Sequence, residues 1–243
     1  MPWDFWLIFL FLAVVVPWRG HVRLRKLLAR PAVDTTEKIT LYAATIAFQW
    51  LMLGLVAWRA LARGLAPAEL GLTGRLNAKI LIAGLLGAAI IGGLQWANLR
   101  RVGKMEGAGP DLMRKLTSRI LPQSPVELFP YLALAVTAGV CEEFLYRGFA
   151  MAALSRAGLP IWMVVLVTSA LFGLAHAYQG RAGVLGTGVL GVLLAVARIV
   201  YSSLAPVMIW HTAVDIVAGI AGPKYLRAAP KSGQVAQNQL VTE

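Results

Sequence analysis

The stretch CEEFLYRG, residues 141–148, sets two adjacent carboxylates and a guanidinium directly after the apolar run YLALAVTAGV. Glu142, Glu143 and Arg147 are residue types that take protons or hold ions, placed where burying a charge is costly. Two later apolar stretches repeat the anomaly. LFGLAHAYQG has His176 four residues after Phe172, and WHTAVD has His211 four residues before Asp215. Together these side chains can do acid–base chemistry. A carboxylate withdrawn from water is a stronger base, and an imidazole can hold a water or donate to a developing negative charge.

Spacing divides the set. Residues four apart share a helical face, so Glu143 can pair with Arg147, and His211 lies over Asp215. Glu142 points ~100° away around the helix and stays free for another task. Each charge at a helix centre costs roughly 2.5–3.5 kcal/mol on insertion scales, so three in one segment must be paired, solvated or at a helix end. A single Glu–Arg pair near a helix end is more often structural than catalytic. The joint occurrence on three segments shifts the balance, because buried polar groups need partners. The simplest arrangement is convergence on one cavity between the fourth, fifth and seventh segments. Depth agrees for Glu142 and His211, whereas His176 comes out nearer the cytoplasmic face. Other residues receive bland readings. Cys141 is a small apolar filler; Arg198 snorkels to the interface; His21 sits in a basic loop. The glycines from Gly180 to Gly191 serve close helix packing rather than phosphate binding, having no preceding strand and no following Lys.

The elements that must position these residues are membrane spans. The chain of 243 residues is 58% hydrophobic and only 14% charged, against roughly 25% charged in a soluble domain. The expected fold is all-α, a polytopic transmembrane helical bundle of about seven spans, six to eight in range, with a polar cavity between the later helices. The segments are 3–18, 38–58, 78–98, 129–151, 160–178, 184–204 and 206–222. The first has no basic leader or small-residue cleavage site and reads as a retained helix. Residues 100–127 are amphipathic and are expected on the membrane surface; residues 228–243 are polar and expected to be disordered. Three divisions follow: N-terminal helices with basic loops over 1–125, a site-bearing helical core over 126–223, and the tail from 224 to 243.

The net charge of +12 does not point to nucleic acid, because the basic residues form short blocks between apolar runs. Arg19, Arg23, Arg25, Lys26 and Arg30 follow the first segment, and Arg100, Arg101, Lys104, Arg114, Lys115 and Arg119 follow the third. Lys224, Arg227 and Lys231 lie in the tail, while the alternate loops hold fewer, including Arg59, Arg63, Arg75, Lys79 and Arg156. This bias favours an N-terminus outside and a cytoplasmic C-terminus. One cysteine excludes an intrachain disulfide and a multi-cysteine metal site.

In order and on separate apolar segments, Glu142-Glu143-Phe-Leu-Tyr-Arg147, Phe172-Gly-Leu-Ala-His176 and His211-Thr-Ala-Val-Asp215 resemble the EExxxR, FxxxH and HxxxN/D motifs of the CPBP family. These are the CAAX proteases and bacteriocin-processing enzymes, also called the Abi family. The resemblance covers about residues 125–222. It implies a bacterial inner-membrane endopeptidase that cuts near the C-terminus or anchor of a small membrane-associated or lipidated protein. It further implies Glu142 as the base that activates water, His176 sharing that water, His211 and Asp215 facing the scissile carbonyl, and Glu143 with Arg147 holding the site together. Asp215 must either be protonated and donate, or orient His211. No Ser-His-Asp set sits on a plausible elbow and no H-E-x-x-H is present. No cofactor is favoured. If a metal is bound, Glu142, His176 and His211 suit Zn2+ with an open position for water. The implied partners are a protein or peptide substrate and membrane lipids, not nucleic acid. The rival reading is a proton-coupled transporter or a non-proteolytic membrane scaffold using the same Glu, His and Asp cluster.

Overall fold

The computed structural model describes residues 1–72 and 77–226, apart from the side chains of 108–110. The expected disordered tail 228–243, and Arg75, Arg227 and Lys231, lie outside the described residues. Among the described residues, every regular element is helical. The helices run α1 Trp3–Leu28, α2 Thr35–Ala62, α3 Ala78–Val102, α4 Ala108–Ile120, α5 Pro125–Arg156, α6 Ile161–Ala175, α7 Gly180–Tyr201 and α8 Ala205–Tyr225. Six of them, α1, α2, α3, α5, α7 and α8, are long and apolar enough to cross a membrane, and α6 is a shorter apolar helix. The protein is an integral membrane protein. Its large apolar side chains Leu85, Leu94, Leu185, Val189 and Val200 point outward and exposed, as lipid-facing positions do.

Local chemistry starts these helices where they start. Asp34 caps α2 through a reciprocal box: its carboxylate accepts from the Glu37 N–H at 2.8 Å, and the Glu37 carboxylate accepts from the Asp34 N–H at 3.3 Å. Asn77 caps α3 by accepting from the Ile80 N–H at 3.0 Å. Ser124 caps α5, and Pro125 and Pro206 occupy first-turn positions where a missing N–H costs nothing. Inside α1, Pro17 has no N–H for the Ala13 carbonyl, and the backbone just before it is wound as π-helix over Phe11–Val15. A second π-wound stretch, Phe144–Ala150, lies inside α5, and every residue in it is buried.

α2 packs on α5, α5 on α8, α3 on α8, and α6 on α7. The Trp210 indole N–H donates to the Ala83 carbonyl at 3.0 Å and ties α8 to α3. α1 is not peripheral: Phe5 meets Phe149 of α5 edge-on at 4.9 Å between ring centroids. α4 falls within the amphipathic stretch 100–127, and at ~20 Å it is too short to span. The Ile120 carbonyl at its C-terminal end accepts from the Tyr42 hydroxyl at 2.6 Å, and its Arg119 donates to the carbonyls of Leu27 and Arg30.

Several expected boundaries move. The first segment does not stop at residue 18. Helix continues to Leu28, so Arg19, Arg23, Arg25 and Lys26 lie on α1 rather than in a loop. Arg and Lys are good helix formers, and hydropathy marks where apolar sequence ends, not where helix ends. The fourth segment runs over 125–156 instead of 129–151 for the same reason. The fifth is regular only over 161–175, because a 3-10 turn at Ala177–Gln179 and Gly180, at φ 78° where only glycine sits easily, reverse the chain.

Candidate active site

Glu142 and Glu143 end the α-helical part of α5, just before the π-wound stretch. Being adjacent, they point in different directions. The Glu143 side chain is fully buried, while that of Glu142 is 19% exposed and faces a cavity. Arg147 donates from Nη1 to Glu143 Oε1 at 2.8 Å and from Nη2 to the Gly191 carbonyl at 3.1 Å. A Cβ on Gly191 would stand 3.2 Å from that same Nη2, tight enough to push the guanidinium aside. The guanidinium also lies over the Phe172 ring, 4.2 Å from its centroid. Two buried charges are thus neutralised against one another one turn apart, as their spacing predicts.

Phe172 is the packing centre of the site. Its ring centroid lies 4.8 Å from that of His176, 5.5 Å from that of His211 and 5.3 Å from that of Tyr146. His176 caps the C-terminus of α6, and its Nδ1 lies 2.9 Å from the Phe172 carbonyl. A carbonyl only accepts, so Nδ1 has the proton and Nε2 presents a lone pair in the neutral ring. That Nε2 faces Glu142 Oε2 at 4.0 Å. His211, on α8, is held by Glu143: its Nδ1 lies 2.8 Å from Glu143 Oε1. Its Nε2 is 3.7 Å from Asp215 Oδ2, one turn along the same helix. The structure therefore brings together all six residues marked in the sequence. Glu142, His176, His211 and Asp215 line the cavity, and Glu143 and Arg147 stand behind them.

The depth mismatch for His176 disappears with the true boundaries. Glu142 lies fourteen residues, or ~21 Å, from the Arg156 end of α5. His176 lies fifteen residues, or ~22 Å, from the Ile161 start of α6, which follows directly after the turn. Both sit at one level because α6 ends there.

Three positions that the sequence reading did not single out complete the site. Gln49, on α2, donates from Nε2 to Glu142 Oε1 at 2.7 Å. Its signal was an amide inside the apolar run TLYAATIAFQWLMLGLVAW. The Tyr131 hydroxyl donates to the Asp215 carbonyl at 2.8 Å and pins α5 to α8. Tyr178, in the 3-10 turn, stands 5.9 Å from His176 between ring centroids and lines the cavity. The cavity, about 600 Å³, extends well beyond the later helices: α1 and α2 form much of its wall, through residues such as Phe11, Arg19, Arg23, Thr45 and Gln49. No group of three or more His, Cys, Asp or Glu side chains among the described residues is arranged to hold a metal ion.

Residues 124–217 match the family model described as Type II CAAX prenyl endopeptidase Rce1-like. The match begins at the Ser124 cap of α5 and ends two residues beyond Asp215, so it spans all six site residues. No curated protein and no solved structure matches the chain.

Proposed function

We propose, on the match of residues 124–217 to the CAAX-protease family model, that the protein is an intramembrane endopeptidase that hydrolyses a peptide bond with a water activated by Glu142. The observation that supports this reading best is the Glu142–His176 gap. At 4.0 Å it is too long for a direct hydrogen bond and suits one water shared by both groups. With Nδ1 committed to the Phe172 carbonyl, His176 Nε2 accepts one hydrogen of that water and Glu142 Oε2 accepts the other. The water oxygen is left to attack a carbonyl carbon in the cavity. Glu142 takes the proton on attack and returns it to the leaving amine. Gln49 fixes the other carboxylate oxygen. In its doubly protonated form His211 gives Nδ1–H to Glu143 and Nε2–H to the oxyanion. Asp215 stands at that same Nε2, as a second donor when protonated or as a carboxylate that aligns the ring.

The substrate in this reading is the C-terminal tail of a small membrane-associated or lipidated protein, because the cavity wall is mainly apolar around a few polar groups. The basic residues at the ends of α1 and α3 and on α4 gather at one end of the bundle. By the positive-inside rule that end faces the cytoplasm of a bacterial inner membrane, with the N-terminus outside.

The test is cleavage and metal content measured on one detergent-purified sample, wild type beside Glu142→Gln, with C-terminal peptides with and without a prenyl group. Cleavage lost in the variant, in protein without stoichiometric metal, is the expected result. Cleavage that tracks one bound zinc per chain would replace the mechanism while keeping the site. Release of no fragment from either would favour a scaffold that binds transmembrane segments without cutting them.

A further inference from the structure

The last turns of α1 and the first turns of α2 flank a second cavity, a groove of about 390 Å³ that the chemistry above does not use. On the α1 side Arg23, Lys26 and Arg30 recur at intervals of three and four residues, the spacing of one helical face. On the α2 side stand the exposed side chains of Thr36 and Thr40. The lining carboxylate, Glu37, is already engaged: its Oε1 accepts from Arg30, and its Oε2 accepts from the Asp34 N–H at 3.3 Å. Among the described residues, Arg23 and Lys26 have no carboxylate within ion-pair distance. Arg23 Nη1 instead donates to the Thr45 hydroxyl at 3.0 Å, which sets the guanidinium against α2. Three cations and one carboxylate leave the groove with a surplus of two positive charges. The turn that joins its walls is fastened from outside. Arg119 of α4 donates to the Leu27 and Arg30 carbonyls, and to that of Pro31 at 3.3 Å. A site held in shape before its ligand arrives loses less freedom on binding.

Depth selects the anion. The apolar part of α1, from Trp3 to Trp18, is ~24 Å long, most of a hydrocarbon core of about 30 Å. Arg23 stands ~8 Å beyond that part, at the edge of the core, and Lys26 and Arg30 stand further out, at the level of lipid headgroups. The anion of that layer is phosphate, which Lys takes as a point charge and Arg through its planar fork. The lining changes character along α2 in the same sense. Thr36 and Thr40 come first, and Leu41 and Ala44 follow nearer the membrane centre. A polar wall therefore meets a headgroup where an apolar wall meets the start of an acyl chain. We propose that this groove binds an anionic phospholipid, with its phosphate between Lys26, Arg23 and the Thr40 hydroxyl and its chains leaving along Leu41 and Ala44. Nothing in the site depends on the hydrolase reading. Arg23 also lines the larger cavity, so the bound headgroup stands at the wall of the candidate active site.

The experiment is native mass spectrometry on the full chain, delipidated in neutral detergent and titrated with phosphatidylglycerol or with phosphatidylcholine of the same acyl chains. Each variant is first shown by thermal unfolding to be folded. A basic side chain at an anionic lipid surface is worth about fivefold in affinity. Two cations without a carboxylate therefore lead wild type to prefer phosphatidylglycerol by about 25-fold. Lys26→Gln should weaken phosphatidylglycerol about fivefold and leave phosphatidylcholine unchanged, and Lys26→Arg should restore the preference. Lys104→Gln removes a charge outside the groove, in the turn after α3, and should change neither lipid. Ala44→Trp fills the groove with every charge in place and should weaken phosphatidylglycerol. Equal affinity of wild type for the two lipids overturns the proposal. So do equal losses in Lys26→Gln and Lys104→Gln, which would assign the preference to the summed charge of that end of the bundle. Unchanged binding by Ala44→Trp would place the lipid outside the groove and overturn it as well. Displacement of the lipid by inorganic phosphate would reassign the groove to a soluble anion, with the same consequence.

Discussion

Glu143 Oε1 lies 2.8 Å from Nδ1 of His211 and 2.8 Å from Nη1 of Arg147, so one buried carboxylate oxygen holds both an imidazole and a guanidinium. The adjacent carboxylates of the EExxxR stretch therefore have different tasks. Glu142 is turned to the cavity, and Glu143 is the residue that aligns the histidine on α8. Arg147 neutralises Glu143 and reaches the Gly191 carbonyl on α7, linking three helices around one charge. Removing the arginine leaves Glu143 buried with its charge uncompensated. Arg147→Met is expected to destabilise the protein by about 3–5 kcal/mol, the usual cost of breaking a buried pair from one side. Thermal unfolding in detergent reads it. An unfolding temperature unchanged from wild type would show that the pair contributes nothing to the fold.

Gln49 makes a narrower prediction. It holds the site through the 2.7 Å hydrogen bond from its Nε2 to Glu142 Oε1. Without it the carboxylate keeps its place on α5 but loses its fixed rotamer. Gln49→Ala should lower kcat by about tenfold or more with KM little changed, because a charge-assisted hydrogen bond to the base is lost and no substrate contact is. A change confined to KM would move Gln49 from the base to the substrate.

What was legible beforehand follows from what a membrane makes conspicuous. Glu142, Glu143, Arg147, His176, His211 and Asp215 stood out because each is costly in an apolar run, and their spacing marked which could share a face. Hydropathy located the apolar segments in the same way, although of the seven expected only six are helices long enough to cross among the described residues, the segment at Ile161–Ala175 being shorter. Gln49 was harder to see, since one neutral amide in a long apolar helix is a modest anomaly. Arg19 and Arg23 were hidden because a basic block after an apolar run ordinarily marks a cytoplasmic loop. Here the helix continues through them, and α1 folds back onto the core through Phe5 and Phe9. The π-wound stretch at Phe144–Ala150 left no sequence mark: no proline lies within it, and every side chain is buried against neighbouring helices.

The acid–base pair itself can be separated from its supports. Glu142→Gln and His176→Ala should each reduce cleavage by about 10²–10⁴-fold, the range for losing a positioned acid–base group. The protein should stay folded, because Glu142 and His176 are partly exposed to the cavity and neither neutralises a buried charge. Retention of most activity by Glu142→Gln would remove the proposed base.

Asp215 distinguishes two roles through one conservative change. Its Oδ2 lies on the Nε2 side of His211 at 3.7 Å, while the opposite nitrogen is already held by Glu143. With the ring aligned from that opposite side, Asp215 is better placed to donate to the oxyanion than to orient the imidazole. An amide donates there as a carboxylic acid does. Asp215→Asn is therefore expected to keep activity within about threefold, and Asp215→Leu to lose about 10²-fold or more. Equal losses in both would restore the orienting role and require a charged Asp215.

The last prediction concerns a second buried pair far along α5 from the chemistry. Lys38 Nζ lies 3.0 Å from Glu127 Oε2, and both side chains are almost wholly buried. Thr35 donates its hydroxyl to Glu127 Oε1 at 2.7 Å, and the Gln123 N–H donates to Oε2 at 2.7 Å. This clasp joins the start of α2 to the start of α5, the two helices that deliver Gln49 and Glu142. Lys38→Met strands the Glu127 charge and should destabilise the fold by about 3–5 kcal/mol. Cleavage per folded molecule should change little, since neither residue lines the cavity. Restoring stability by the double change Lys38→Met with Glu127→Gln, at unchanged kcat, would identify the clasp as a support for helix placement. A kcat that falls with Lys38→Met and stays low in the double variant would instead tie the register of α2 on α5 to the setting of Glu142.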